Sequence, residues 1–302
     1  MHSNILQFDS IAHIHEVMSL PAPAHPLISM INSGDLEMKP EMDGMRMTAN
    51  LYCIAQKTKS PGLGYGRKHY DFEEGMLMFI APHQVLRGHS NIRENEGWML
   101  FFHPDLIRTT PLGSSIGKYA FFGYTTYQAL QMTDSEKEQL EATAKQLRQM
   151  LAVHGPQADT QQLATLLKQM LDLSEEPYQR YQSRGGTQPA DVLAAFESAL
   201  HNWFESDLLA DKGIPSVQYL ADCVHLSPNY LSDLLKQETG KNAKEHINLV
   251  VLEKAKHRLL TTRKTVSEIA YALGFNYPHY FSRMFKTHTG YSPKEFRAKQ
   301  QH

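Results

Sequence analysis

Two sets of polar side chains recur with one spacing near the C-terminus. The first is Asn229, Ser232, Asp233 and Lys236; the second, fifty residues on, is His279, Ser282, Arg283 and Lys286. Each set falls at i, i+3, i+4 and i+7, which is one face of an α-helix. Amide, hydroxyl, imidazole, guanidinium and ammonium groups on one such face can hydrogen-bond base edges in a DNA major groove and neutralise phosphates. A merely solvated helix face carries similar residues. The frame around the two sets separates these readings.

That frame is an internal repeat. Residues 217–240 (VQYLADCVHLSPNYLSDLLKQETG) align with 266–290 (VSEIAYALGFNYPHYFSRMFKTHTG). The offset is 49 at first, pairing Val217 with Val266, Leu220 with Ile269 and Ala221 with Ala270. After the turn it becomes 50, pairing Leu231 with Phe281, Leu235 with Phe285 and Gly240 with Gly290. Each copy has helix-turn-helix grammar. Ser216 and Thr265 are expected N-caps, and Thr265 with Glu268 spells a capping box. Ser227-Pro228 opens one second helix; Asn276 or Tyr277, with Pro278, opens the other. Gly240 and Gly290 stand where a left-handed stop is expected. Residues 243–260 read as one linking helix with Ile247, Val250, Val251, Ala255 and Leu259 inward. Its length is roughly 30 Å at 1.5 Å per residue, close to the ~34 Å between successive major grooves.

Charge supports this placement. The chain of 302 residues carries a formal −2. Residues 187–302 hold 14 Lys and Arg against 12 Asp and Glu, and 236–264 hold 8 against 3. Positive charge is gathered where phosphates would lie. The length predicts two domains. No apolar run approaches a bilayer span, and the start MHSNILQFDS lacks a basic segment leading an apolar one. A bacterial cytoplasmic protein with no membrane partner is expected. Cys53 and Cys223 are expected as reduced, half-buried thiols.

Residues 1–132 predict a mostly β domain, with strands in NLYCIAQ (50–56), MLMFI (76–80) and WMLFF (98–102) separated by Gly, Pro and charged clusters. From Thr133 the period becomes helical. Thr133 and Glu136 form a capping box, and Leu140, Ala144, Leu147 and Leu151 make a narrow apolar seam over two heptads. Gly155-Pro156 ends that helix, and Asp159 or Thr160 opens a second. The seam suits either the chain's own sheet or a partner helix. The partner reading is preferred here, making 133–182 a paired-helix dimerisation element and the protein a homodimer. Residues 183–190 read as a linker, and 191–302 as the C-terminal domain, starting with a helix that carries Leu193, Phe196, Leu200, Trp203 and Phe204.

Residues 190–298 resemble the DNA-binding domain of the AraC/XylS family, most specifically in VSEIAYALGF…YFSRMFKTHTGYSPKEFR and LADCVHLSPNYLSDLLKQETG. The resemblance implies seven helices, two helix-turn-helix units, double-stranded DNA as partner and no enzymatic activity. It implies base contacts at Asn229, Ser232, Asp233, His279 and Arg283, with RNA polymerase as a further partner of an activator. Asp233 departs from the pattern, standing where the family often has Arg. It could accept from a cytosine amino group or pair with a neighbouring Lys. The segment DFEEGMLMFIAP (71–82) resembles the turn-strand-Pro segment of a cupin, so the N-terminal domain is expected to be a cupin-like effector barrel. The fold class is then an all-β cupin-like barrel with a helical dimerisation element, joined to an all-α double helix-turn-helix domain.

Other chemistry weighs less. A metal-binding cupin wants an H-x-H pair, a nearby Glu and a later His. From the first confident strand on this barrel has single histidines, His69, His83, His89 and His103, and the pair His13 and His15 precedes that strand and lacks a following Glu at cupin spacing, so no metal and no cofactor are expected. Tyr52, Tyr65, Arg67, Tyr70, Trp98, Phe101 and His103 are candidates to line a small-molecule cavity. No P-loop, G-x-S-x-G, H-E-x-x-H or dinucleotide loop is present. Three functions remain: a ligand-responsive DNA-binding transcription regulator, preferred; a metal-free cupin enzyme fused to a DNA-binding domain; and a constitutive DNA-binding regulator.

Overall fold

The computed structural model describes residues 5–36, 39, 42, 44–65, 68–72, 76–87, 96–122, 130–183, 192–206 and 208–299. The chain divides into two units, Met1–Ala194 and Ala195–His302. The expected linker, 183–190, lies almost wholly outside the described residues.

Among the described residues unit 1 has nine strands: β1 Ile5–Phe8, β2 Ile28–Asn32, β3 Arg46–Ala49, β4 Tyr52–Tyr65, β5 Lys68–Phe72, β6 Met76–Ile80, β7 Val85–Arg87, β8 Glu96–Phe102 and β9 Leu130–Gln131. Its helices are α1 Ile11–Val17, α2 Pro104–Ile107, α3 Pro111–Ser115, α4 Asp134–His154 and α5 Thr160–Ser183. The long β4 serves two sheets. Its first half pairs antiparallel with β6 on one side and β8 on the other, and β8 continues to β2. Its second half pairs with β5 and reaches β7, which leads to β3 and then to β1, in parallel with β3. Register shifts between Lys57 and Lys59, and between Ser60 and Leu63, mark where the strand passes between sheets.

Strand alternation sorts this core into two faces. Ile54, Leu77, Phe79, Trp98, Leu100 and Phe102 pack under α4 and α5, in one cluster with Leu140, Ala144, Leu147, Leu151, Leu163, Leu167 and Met170. Cys53, Ala55, Met78 and Ile80 face the other way, with Leu86, Met99 and Phe101 against them.

This corrects the expected dimer seam. Leu140, Ala144 and Leu147 are 0% exposed and Leu151 is 6% exposed within the single chain. The apolar stripe already has its partner in α5 and the sheet, so it offers no surface to a second copy. The predicted capping box on α4 forms, with the Thr133 hydroxyl accepting from the Glu136 N–H and the Glu136 carboxylate from the Thr133 N–H. Asp159 accepts from the Gln162 N–H ahead of α5. Polar links tie these helices down: Trp98 Nε1 donates to Glu141 at 2.7 Å, Tyr119 Oη to Asp172 at 2.6 Å, and the Arg180 guanidinium makes two 2.6 Å bonds to Glu136.

Unit 2 is helical, its first helix beginning at the boundary: α6 Val192–Glu205, α7 Leu208–Lys212, α8 Val217–Cys223, α9 Pro228–Thr239, α10 Ala243–Thr261, α11 Val266–Ala272, α12 Pro278–Thr289 and α13 Pro293–Lys299. Leu193, Phe196, Leu200, Trp203 and Phe204 are the buried side of α6. Cys223 is exposed and Cys53 buried, neither of them half-buried as expected, and no disulfide joins them. Among the described residues no helix is long and apolar enough to cross a membrane.

Candidate nucleic-acid interface

The two helix pairs form as their local signals dictate. Ser216 caps α8 through the Tyr219 N–H, and Ser227 caps α9 through the Tyr230 N–H with Pro228 at the first turn. Thr265 and Glu268 form the capping box of α11, and Asn242 and Glu245 form one for α10. The Thr265 N–H and hydroxyl hold the Glu268 carboxyl below its ordinary value. Tyr277, rather than Asn276, precedes α12, and its side chain makes no capping bond. Gly240 and Gly290 end α9 and α12 with φ of +78° each, in the left-handed region where only a residue without Cβ is unstrained.

Packing then sets the outward faces. Ala221 and Ala270 are 0% exposed where the paired helices approach, and Leu231 and Leu235, or Phe281 and Phe285, are the inward sides of α9 and α12. Leu234 and Met284 are half-buried. On the linking helix α10, Ile247, Val251, Ala255 and Leu259 are buried as expected, whereas Val250 is half-buried and His246 and Leu252 take part in the core. His246 Nε2 lies 2.8 Å from the Thr239 hydroxyl at the end of α9. Leu252, Ala255 and Leu259 join Ile269, Ala270, Leu273, Phe281 and Phe285 in one cluster. Thus α10 serves both copies, and its 19 residues rise roughly 28 Å.

The structure leaves Asn229, Asp233 and Lys236 exposed on α9 and His279, Arg283 and Lys286 exposed on α12; Ser232 and Ser282 are half-buried at the edge of each face. Sequence reasoning missed two members of these faces. Tyr230 and Tyr280, which correspond in the repeat, are 57% and 50% exposed. The Arg283 guanidinium lies 5.6 Å over the Tyr280 ring, whose other neighbours are His279 at 4.2 Å and Tyr277 at 6.0 Å. The offset of 50 that aligned the polar sets also aligns these tyrosines and was the signal available.

Of the candidate ligand-lining residues whose side chains are described, Tyr52 and Trp98 share one face, and Phe101 and His103 lie elsewhere. Tyr52 stacks on Phe102 at 5.0 Å and meets Phe122 edge-on at 4.9 Å, and Trp98 is buried on the same face, under the helices. Phe101 points to the opposite face. His103 caps α2, accepting from the Asp105 N–H. Of Tyr65 and Tyr70 only the backbone is described, and Arg67 lies outside the described residues. Among the described residues no three metal-ligating side chains cluster.

A twofold helix-turn-helix frame with matched polar faces defines a DNA-binding domain. The chain matches the family described as "Helix-turn-helix domain" over residues 220–299. It is 43% identical over 99 residues to the "Uncharacterized transcriptional regulatory protein YesN" of Bacillus subtilis strain 168, covering 31% of this chain and 27% of that one. It is 40% identical over 93 residues to the "Arabinose operon regulatory protein" of Escherichia coli K12, covering 31% and 32%. Against the "HTH-type transcriptional activator RhaS" of Escherichia coli SMS-3-5 it is 25% identical over 264 residues, covering 81% and 91%. The chain spans only 27%, 54% and 30% of three of the relatives it matches. Over its C-terminal domain the chain is thus a helix-turn-helix protein similar to these transcriptional regulators.

Proposed function

We propose that the whole chain is a sequence-specific transcription regulator whose C-terminal domain, 191–302, reads two consecutive major grooves of double-stranded DNA. The observation that carries this is the pair of matched outward faces, Asn229/Ser232/Asp233/Lys236 and His279/Ser282/Arg283/Lys286, joined by one 19-residue helix. Arg283 supplies a bidentate contact to guanine, and Asp233 cannot, so the two half-sites differ in sequence. In this reading residues 1–132 are a cupin-like effector barrel and 133–182 a helical element packed on it. In the same reading a small organic effector without metal binds on the sheet face around Cys53, Ala55, Met78, Ile80, Met99 and Phe101, opposite the face that α4 and α5 cover. Several relatives are named activators, which supports RNA polymerase as a partner. The resemblance supports a homodimer, through a face other than the Leu140–Leu151 seam.

The test is selection from randomised operators at fixed salt. Arg283 is exposed and lies over the half-exposed Tyr280 ring, so its removal should cost the fold little. Arg283→Ala should lose about tenfold to a hundredfold in affinity, roughly 1–3 kcal/mol, and relax preference at one base position. Lys236→Ala should weaken all sequences alike and lower the salt slope by roughly one. Uniform loss with an intact sequence preference in Arg283→Ala would make that residue a phosphate clamp.

A further inference from the structure

Gly213 lies between α7 and α8, just ahead of the first helix-turn-helix. Gly274 lies in the turn of the second, between α11 and α12. Both have positive φ, +75° and +83°, and their backbones touch. A Cβ on Gly274 would stand 2.6 Å from Gly213 Cα and 2.7 Å from the Ile214 nitrogen. One on Gly213 would stand 3.2 Å from the Gly274 carbonyl oxygen. The Gly213 side is itself anchored. The buried Trp203 indole donates to the Gly213 carbonyl at 2.8 Å, and its ring meets Tyr219 of α8 at 4.5 Å.

The two helix-turn-helix units also share α10, the first through His246, which meets the Thr239 hydroxyl of α9, and the second through Leu252, Ala255 and Leu259. Two bodies joined by one helix keep freedom to bend and twist about its axis. A second attachment between them restricts both motions. Neither glycine can accept a side chain without moving backbone, because what stands opposite is backbone.

We propose that the Gly213–Gly274 contact is a clamp that makes the two recognition helices one rigid reading head, so that the protein selects operators by the spacing of their half-sites. The proposal rests on the DNA-reading function above and goes beyond it: Gly274 and Gly213 are positioning residues for spacing, with no part in reading bases. One inserted base pair turns the second half-site by about 35° and shifts it by about 3.4 Å, which a rigid head cannot follow.

The experiment measures binding to operators with the half-sites at the selected spacing, one base pair closer and one farther. The proteins are wild type, Gly274→Ala, Gly290→Ala and Trp203→Phe. Gly290→Ala is the strain-matched control, because Gly290 has φ +78° in the same unit and nothing within 4 Å of an added Cβ. Wild type and Gly290→Ala should lose roughly tenfold or more at either altered spacing, the cost of disengaging from one groove. Gly274→Ala should bind all three within about threefold of one another, and Trp203→Phe should fall between. In a Cys223→Ser background, spin labels at positions 237 and 287 should report a narrow distance distribution in wild type and a broad one in Gly274→Ala. Wild type binding all three spacings equally would overturn the proposal, as would folded Gly274→Ala keeping the wild-type profile. Should Gly274→Ala not fold, an unchanged profile in Trp203→Phe overturns it and a flattened one supports it. Wild type binding no operator at all would instead defeat the DNA-reading function, and the spacing role with it.

Discussion

Replacing Leu147 with Ala tests whether the α4 seam is core or interface. Leu147 is 0% exposed, in one cluster with Leu163, Leu167 and the sheet residues Leu100 and Phe102. The change removes three carbons, about 2.4 kcal/mol at ~0.8 kcal/mol each. The unfilled space adds to that, giving roughly 3–5 kcal/mol in all. For a unit of this size each kcal/mol moves the midpoint about 2–4 °C, so unit 1 should melt roughly 6–20 °C lower. Calorimetry at two protein concentrations a hundredfold apart, paired with light scattering, reads the result. A core role gives the same drop at both concentrations and an unchanged molar mass. A wild-type dimer that becomes a monomer of undiminished melting temperature on substitution would refute the core assignment and restore the seam as an interface.

Two further outcomes follow from charges. The Arg180 guanidinium, with the Thr133 N–H and hydroxyl, holds the Glu136 carboxyl down at about 2 against an ordinary 4.5. A depressed carboxylate stabilises the fold above its unfolded value, and the effect fades as pH falls through the folded value. Arg180→Ala should therefore cost about 1–2 kcal/mol near neutrality, allowing for the water around the pair, and the difference from wild type should shrink between about pH 4.5 and 2. A gap independent of pH over that range in denaturant titrations would reject the ion pair as its source. Asp233→Arg should give α9 the guanidinium that α12 has, raising affinity about tenfold to a hundredfold on operators with guanine at the facing position. A selection returning the wild-type preference would show that position 233 does not face the bases.

Much of the DNA-binding domain was legible in the residues because its determinants are local. Ser216, Ser227 and Thr265 cap the helices that follow them, Gly240 and Gly290 end helices by their own φ, and the repeat offset of 50 brings like side chains to like faces. Each of these acts within about one helical turn, so order along the chain carries it. The rest depended on what lies across from a residue. Helical spacing made Leu140, Ala144, Leu147 and Leu151 one apolar stripe, but the same stripe fits a partner helix or the chain's own core; only packing placed it against α5 and the sheet. Alternation put Trp98 and Phe101 on opposite faces without saying which face the helices cover, and the helices took the side of Trp98 and Tyr52. The Gly213–Gly274 contact joins residues 61 positions apart, where nothing in either neighbourhood names the other. Burial and close approach are properties of pairs distant in sequence, set by how the elements dock, and periodicity within one element does not contain them.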